Sequence, residues 1–350
     1  MEKAIRYITE KTAVLIFTPV NRRYLTGFSS SLGYLLMTKE GNYLFVDGRY
    51  YEAACKTAIN AKVVLMEKPL EQIGRILKEC GAGRLLIETE NTLSFYTALK
   101  SQLPLKTVPS ASLSDKLLSM RSIKKKEEVD CIVAAQRIAE KAFDDILSFI
   151  KVGVTEKEIA ALLEYKMKQY GAEGIAFDTI AISGKNTSMP HGVPTDKKVK
   201  AGDFFTMDFG AVINGYCSDM TRTVAVEYAT DKMTEVYNTV LSAQENVIKT
   251  LRAGIICKDA DAAARKIIED GGYGEFFSHS TGHGVGLEIH EQPNLSPKAD
   301  KIKLRAGQIV TDEPGIYLPG EFGVRIEDML LVRKNGCKNL TNSPKDLIIL

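Results

Sequence analysis

The chain has 350 residues, 45% of them apolar and 26% charged, proportions that argue against disorder and fibrous repeats, and at about 100–200 residues per domain the length suggests two domains. Lys and Arg number 46 against 44 Asp and Glu, so the basic excess expected of a protein that lives on nucleic-acid phosphates or an anionic membrane is missing. No apolar run approaches the ~18 residues of a membrane span, no signal-peptide pattern opens the chain, and the six scattered cysteines contain no C-x-x-C, which together point to a cytoplasmic protein with free thiols.

The first ~115 residues alternate strand and helix signals. Ala13–Thr18 is a short apolar run, and Tyr34–Met37 and Tyr43–Val46 flank a Lys39-Glu40-Gly41-Asn42 turn, the pattern of a hairpin. A helix is expected from Tyr50 to about Lys56 and another over Gln72–Cys80 ending at Gly81, with Arg84–Ile87 as a further strand. Ser110–Arg121 shows little periodicity. The charge run Lys124–Glu128 reads as the solvated start of a helix whose apolar stripe reaches about Ile150. The domain boundary falls near 115–124. Thr155 and Glu158 form a capping box for a helix to about Tyr170, which Gly171 stops. Strands are expected at Phe177–Ser183, Phe204–Ile213 and Tyr216–Val226, helices at about Asp231–Arg252 and Asp259–Glu269, and strands again over the last ~75 residues.

Asn214-Gly215 between two β-like runs favours a two-residue type I′ turn, because both central residues need positive φ. That turn places Ile213 opposite Tyr216 and Gly210 opposite Asp219. Asp208 and Asp219 then lie on one face as diagonal neighbours, roughly 7–8 Å apart at the backbone. Either a cation sits between them, relieving their repulsion and desolvation, or they are two acids on a solvated face. Glu313 and Glu327 are placed symmetrically about Gly320. An odd-length loop there sets them opposite each other; a two-residue loop sends them to opposite faces.

All four histidines, His191, His279, His283 and His290, lie in the second half. His283 stands in Gly282-His283-Gly284-Val285-Gly286, where glycines permit close backbone approach. This spacing is not the G-x-G-x-x-G of a dinucleotide loop, and His290-Glu291 lacks the second histidine of an H-E-x-x-H zinc helix. Two carboxylate hairpins and one glycine-flanked imidazole suggest a five-ligand set of four carboxylates and one nitrogen.

These residues resemble the pita-bread metallopeptidases, the group of Xaa-Pro aminopeptidases, Xaa-Pro dipeptidases (prolidases), methionine aminopeptidases and creatinase. The resemblance rests on Met207-Asp208-Phe209-Gly210, the stretch Asn214–Thr223 with Asp219, His279–Glu291, Thr311-Asp312-Glu313-Pro314-Gly315-Ile316-Tyr317, Val324–Asp328 and Pro190-His191-Gly192. A weaker match, through Tyr24-Leu25-Thr26-Gly27-Phe28 and Asp47-Gly48-Arg49-Tyr50-Tyr51, links the N-terminal third to the creatinase/prolidase N-domain. It implies an α/β (α+β) protein: a small α/β N-terminal domain over residues 1–118, then a catalytic domain over 119–350 with a curved antiparallel sheet flanked by helices.

The resemblance further implies two divalent metal ions held by Asp208, Asp219, His283, Glu313 and Glu327, with Asp219 and Glu327 bridging. The oxygen-rich set suits Mn²⁺, with Co²⁺ or Zn²⁺ as alternatives. Paired cations activate a water; Glu313 shuttles its proton to the leaving nitrogen. His191 and His290 donate to the carbonyl oxygen as it gains charge, and His279 orients neighbours. Arg325 is expected to pair with a bridging carboxylate rather than with a substrate carboxylate. The expected reaction is hydrolysis of the bond between an N-terminal residue and a following proline. An aminopeptidase is the main reading, a dipeptidase restricted to Xaa-Pro dipeptides the alternative, and a non-catalytic peptide-binding module the remote one. Proline-containing peptides are the expected partners, and a homodimer the expected assembly.

Overall fold

The computed structural model describes residues 7–103 and 105–350 and divides into two compact units, Met1–Arg121 and Ser122–Leu350. Among the described residues no helix is long and apolar enough to cross a membrane.

The first unit is built on a six-stranded sheet in the order Lys62–Leu65, Asn42–Val46, Tyr34–Met37, Thr12–Ile16, Arg84–Ile87, Lys106–Pro109. The turn after Met37 closes an antiparallel hairpin in which Tyr34 faces Phe45. The outer pairs are parallel and need crossovers: helix Tyr51–Thr57 carries the chain between two of these strands and helix Leu93–Gln102 between two others. Val14 and Ile16 enter one core while Ala13 and Leu15 enter another, so the central strand is covered on both faces. This is why it reads as a continuous apolar run rather than an alternation.

Three helices of this unit, Pro19–Thr26, Leu93–Gln102 and Ala111–Ser122, escaped the sequence reading. Ala111–Ser122 is helical, with Ser110 Oγ accepting from the Leu113 amide at its start. Leu113 and Leu117 are buried and Met120 packs beside them. A stripe of three residues is too narrow to stand out among serines and charges.

In the second unit, two interrupted antiparallel ribbons are pinned by two pairs of helices. The first ribbon runs as Phe204–Phe209 and Ala211–Ile213, returning as Tyr216–Cys217 and Met220–Ala225. Asn214 and Gly215 have φ of 46° and 69°, as the type I′ turn requires. Ile213 pairs with Tyr216 and Asp208 with Thr221, so paired numbers sum to 429 on both sides of the interruption. The break falls at Gly210, where a Cβ would lie 1.9 Å from the Ser218 carbonyl oxygen.

The second ribbon runs as Ile309–Asp312 and Gly315–Leu318, returning as Phe322–Arg325 and Asp328–Arg333. Its loop has three residues, Pro319 to Glu321, with Gly320 at φ 78°. Asp312 pairs with Asp328 and Gly315 with Arg325, a sum of 640 on both sides of the break. The odd-length case therefore holds, and Glu313 and Glu327 face each other inside the interruption.

Helices Lys126–Ile146 and Glu156–Gln169 pack on Phe205, Met207 and Phe209 of the first ribbon. Helices Asp231–Thr250 and Cys257–Asp270 pack on Val310, Ile316, Val324 and Leu330 of the second. The Thr155 capping box is formed in both directions. The expected strand Phe177–Ser183 is shorter, beginning at Ile180. The charge run is not wholly solvated: Lys124 is buried and its ammonium lies 2.9 Å from the Glu291 carboxylate. The two residues lie 167 positions apart, a pairing that local charge patterning does not show.

Arg222 ties the first ribbon to the second. Its guanidinium is buried and donates to the carbonyls of Thr221, Glu327, Ser343 and Pro344 and to Asp328 Oδ1 at 2.8 Å. Removing one member of a buried pair leaves the other charge in a low dielectric, at about 3–5 kcal/mol. Arg222→Met is therefore expected to lower the free energy of urea unfolding by about that amount, measured against wild type by circular dichroism; an unchanged midpoint would show that the clasp is dispensable.

Candidate metal centre and active site

The interruptions in the two ribbons carry the acids. Asp208 lies at the end of strand Phe204–Phe209, opposite Thr221. Asp219 lies in the gap before Met220, and Glu313 and Glu327 in the gap of the second ribbon. His283 is the centre of the short strand Gly282–Gly284, squeezed between two neighbours. A Cβ on Gly282 would lie 2.0 Å from the Thr311 carbonyl oxygen, and one on Gly284 2.5 Å from that of Gln292. Glycine on either side is what lets this backbone, and the imidazole it carries, come so close.

The structure brings all five side chains to one cavity of about 570 Å³. Donor atoms of Asp219, His283 and Glu327 lie within 4.8 Å of one another. His283 Nε2 is 3.3 Å from Glu313 Oε1 and 3.6 Å from Asp219 Oδ2. Its Nδ1 faces the Gly284 carbonyl oxygen at 3.1 Å. A carbonyl only accepts, so Nδ1 carries the proton and Nε2 presents a lone pair. Burial holds this imidazole neutral, at about 4.

The electrostatics are unfavourable as they stand. Burial, then the charge of Glu327, pushes the Asp219 carboxyl well above its ordinary range. Burial, then Glu313 and Asp208, does the same to Glu327. Burial raises Glu313 to about 8. Asp208 Oδ1 is buried with no hydrogen-bond partner. The lone pair on His283 Nε2 thus faces carboxylate oxygens of Glu313 and Asp219, acceptor against acceptor. Four acids and one neutral imidazole are a hard-oxygen donor set with one borderline nitrogen, which divalent cations satisfy and neutral ligands do not. The residues present thus fit a divalent metal centre.

Neighbouring hydroxyls hold the acids in place. Thr221 Oγ1 donates to Glu327 Oε2 at 2.6 Å, and Thr311 Oγ1 to Glu313 Oε1 at 3.1 Å while accepting from the His283 amide. The sequence reading missed both. Each lies two residues from a ligand-type acid, Thr221 after Asp219 and Thr311 before Glu313, so the period of a strand was the available signal. Tyr317, four residues after Glu313, was missed too. Its hydroxyl accepts from Arg325 Nη1 at 2.8 Å and stands 2.8 Å from His279 Nε2.

Arg325 departs from expectation. It pairs with Asp208, Nη2 to Oδ2 at 2.6 Å, not with Asp219 or Glu327. The register explains this: Arg325 Nε donates to Thr221 Oγ1 at 3.1 Å, and Thr221 sits directly across from Asp208. His279 is half-buried and held neutral at about 4, chiefly by loss of solvent; its Nδ1 donates to the Ser280 carbonyl oxygen, leaving Nε2 to accept from Tyr317. His191 and His290 are exposed and line the same cavity as the acids. The His290 ring stands edge-on to His283 with centroids 4.4 Å apart. Phe177, Ile180, Val193 and Ile289 form an apolar wall beside them.

Comparison with known proteins agrees with this geometry. Residues 130–334 match the model of metallopeptidase family M24, and residues 3–123 that of the creatinase/prolidase N-terminal domain. A Xaa-Pro dipeptidase of Pyrococcus horikoshii is 40% identical over 99% of this chain and 98% of its own length. Among solved structures, a Xaa-Pro dipeptidase from Bacillus anthracis superposes with a TM-score of 0.93 at 42% identity, covering 97% of this chain and 95% of its own. An X-Pro aminopeptidase from Thermotoga maritima gives 0.91 at 37%, covering 97% and 96%. With a buried acid–imidazole cluster between two interrupted β-ribbons and both models matched along its length, the chain belongs to metallopeptidase family M24 and is a metal-dependent peptidase with the family's pita-bread catalytic fold and a creatinase/prolidase N-terminal domain.

Proposed function

We propose that this enzyme is a dinuclear exopeptidase cleaving Xaa-Pro dipeptides. The observation that carries the reading is the cluster of Asp208, Asp219, His283, Glu313 and Glu327 on the floor of a cavity that His191 and His290 also line. The dipeptidases of Pyrococcus horikoshii and Bacillus anthracis support the dipeptide restriction over the aminopeptidase that the sequence alone favoured.

The five residues are assigned as ligands of two divalent cations, with Mn²⁺ the ion best matched to four carboxylates and one imidazole. Bound there, the cations would acidify a water and polarise the scissile carbonyl. The chain's own groups do the remainder. An Xaa-Pro bond is a tertiary amide with no N–H, so its nitrogen cannot be held through a donor and must gain a proton to leave. Glu313 accepts the proton of the attacking water and passes it to that nitrogen. His191 and His290 donate to the carbonyl oxygen as charge builds on it. The wall of Phe177, Ile180, Val193 and Ile289 receives apolar substrate groups, the proline ring among them. Arg325 and His279 keep Asp208 and Tyr317 in place. We assign residues 1–118 and 119–350 as N-terminal and catalytic domains; a cytoplasmic homodimer completes the reading.

One observation favours the aminopeptidase as a second reading. No lysine or arginine lines the larger cavity, and Arg325 in the adjoining one is engaged by Asp208. A dipeptidase needs a cation for the proline carboxylate; an aminopeptidase does not.

Kinetics on Leu-Pro, Leu-Pro-Ala-Ala and Leu-Ala with Mn²⁺ should show turnover of Leu-Pro alone. Comparable turnover of the tetrapeptide would install the aminopeptidase instead. His191→Ala and His290→Ala should each lower kcat by about 10²–10³-fold, and chelator should abolish turnover.

In chelator, Asp219→Asn should unfold at a higher temperature than wild type, since it removes one of four buried like charges. Added Mn²⁺ should stabilise wild type by about 2–3 kcal/mol at 100-fold excess over Kd and leave the variant unmoved; equal stabilisation of both would remove Asp219 from the ligand set. Sedimentation equilibrium at the monomer mass would refute the homodimer.

A further inference from the structure

The N-terminal unit contains a second cavity, of about 260 Å³. That is below the 300–1,000 Å³ of sites for drug-sized ligands, so an occupant must be small. Phe17, Leu32, Tyr34 and Phe95 supply its apolar lining, and Arg22 and Glu90 its charges. Tyr34 and Phe95 are stacked with ring centroids 5.5 Å apart, and Phe17 stands edge-on to Phe95 at 5.3 Å.

Arg22 is the unusual member. It is only 2% exposed. Nη1 donates to Ser30 Oγ at 2.7 Å and Nη2 to the Ser30 carbonyl oxygen at 2.9 Å, while the Nε–H is buried and has no partner. The nearby acid Glu88 is already occupied, its two oxygens accepting from the Phe17 and Thr18 amides, Thr18 Oγ1 and Asn21 Nδ2. A side chain at position 33 would strike the guanidinium, since a Cβ on Gly33 would lie 2.1 Å from Nη1. The backbone is thus drawn in around a cation that keeps a donor in reserve. Burial disfavours the charged guanidinium and the carboxylate of Glu88 favours it without hydrogen-bonding it; an anionic acceptor at Nε would add the charge-assisted hydrogen bond that Glu88 does not supply.

Glu90 is exposed on the same cavity. It accepts one hydroxyl at each oxygen, from Thr89 at 2.8 Å and Ser114 at 2.9 Å, and a carboxylate keeps further lone pairs for an ammonium group.

We propose that this cavity binds a small zwitterion, a free amino acid with an apolar side chain, its carboxylate on Arg22, its ammonium on Glu90 and its side chain against Phe17, Tyr34 and Phe95. The site lies wholly within the first unit and stands apart from the peptidase reading.

Isothermal titration calorimetry on the full-length protein in chelator tests it with three probes: L-phenylalanine, 3-phenylpropanoate without the ammonium, and phenethylamine without the carboxylate. L-phenylalanine should bind one per chain. Phenethylamine should bind at least about tenfold more weakly, the worth of one hydrogen bond to a charged group. Arg22→Met should weaken L-phenylalanine at least about tenfold. Glu90→Gln, at an exposed position, should weaken L-phenylalanine and leave 3-phenylpropanoate unchanged; this pair decides the matter if Arg22→Met does not fold. Asp219→Asn should bind L-phenylalanine as wild type does. Three results would overturn the site: no saturable binding of L-phenylalanine, a folded Arg22→Met that binds normally, or binding lost in Asp219→Asn, which would place the amino acid in the catalytic cavity.

Discussion

Everything in the catalytic unit is arranged around the burial of like charges. Asp219 and Glu327 are almost fully enclosed, Glu313 is raised to about 8 by the same enclosure, and Asp208 leaves one oxygen with no partner. In an apolar interior such a group of acids opposes folding, because each must lose its water and each repels the rest. A protein keeps that arrangement only where something gains from it. Two divalent cations balance four carboxylates in charge, and the lone pair of His283 Nε2, fixed by the Nδ1 bond to Gly284, completes a set of acceptors awaiting a positive centre. Ions bound among these acids would offset that cost, which would link metal binding to the folding of this unit.

That arrangement needs a stiff frame. Ribbon strands left free would splay the acids apart, and the hydrogen-bonded surroundings prevent it. Thr221 serves two sides at once, donating to Glu327 and accepting from Arg325, which in turn holds Asp208 and Tyr317. Beneath it, Arg222 binds the Glu327 carbonyl and Asp328, and Asp328 also accepts from Gln244 and Asn339. Neighbouring residues of one strand thus face opposite ways, Thr221 into the site and Arg222 into the scaffold, as the pleat demands. The ribbons are interrupted where the acids stand, yet both keep one register through the gap. An interruption frees the backbone to turn carboxylates inward; an unbroken register keeps them facing their partners.

Much of this was legible in the sequence because a hairpin is a local object. Asn214-Gly215 dictated a turn type, the turn dictated the pairing, and the pairing placed Asp208 and Asp219 together. The symmetry of Glu313 and Glu327 about Gly320 carried the second ribbon, once the loop length was known. The unread parts were long-range or weak. Lys124 meets Glu291 across 167 positions, which no charge pattern reports. Arg325 chose Asp208 because Thr221 lies between them, a fact of register between the two ribbons rather than within one. Helix Ala111–Ser122 has too slim an apolar stripe to declare itself, and Arg22 sits in a helix of eight residues whose neighbours show nothing of the cavity beside it.

The same reasoning separates chemistry from specificity. The four acids are carried on two ribbons, each specified by a short turn. The rest of the cavity lining comes from four separate places: Ala160 and Glu164 on a helix, Phe177 to Ile180 entering a strand, His191 to Pro194 in a loop, and Ile289 and His290 ahead of a further strand. None of these constrains another through local pairing. Relatives named as a dipeptidase and as an aminopeptidase accordingly share this fold, at TM-scores of 0.93 and 0.91: a ribbon specified by its own turn is compatible with different linings beside it.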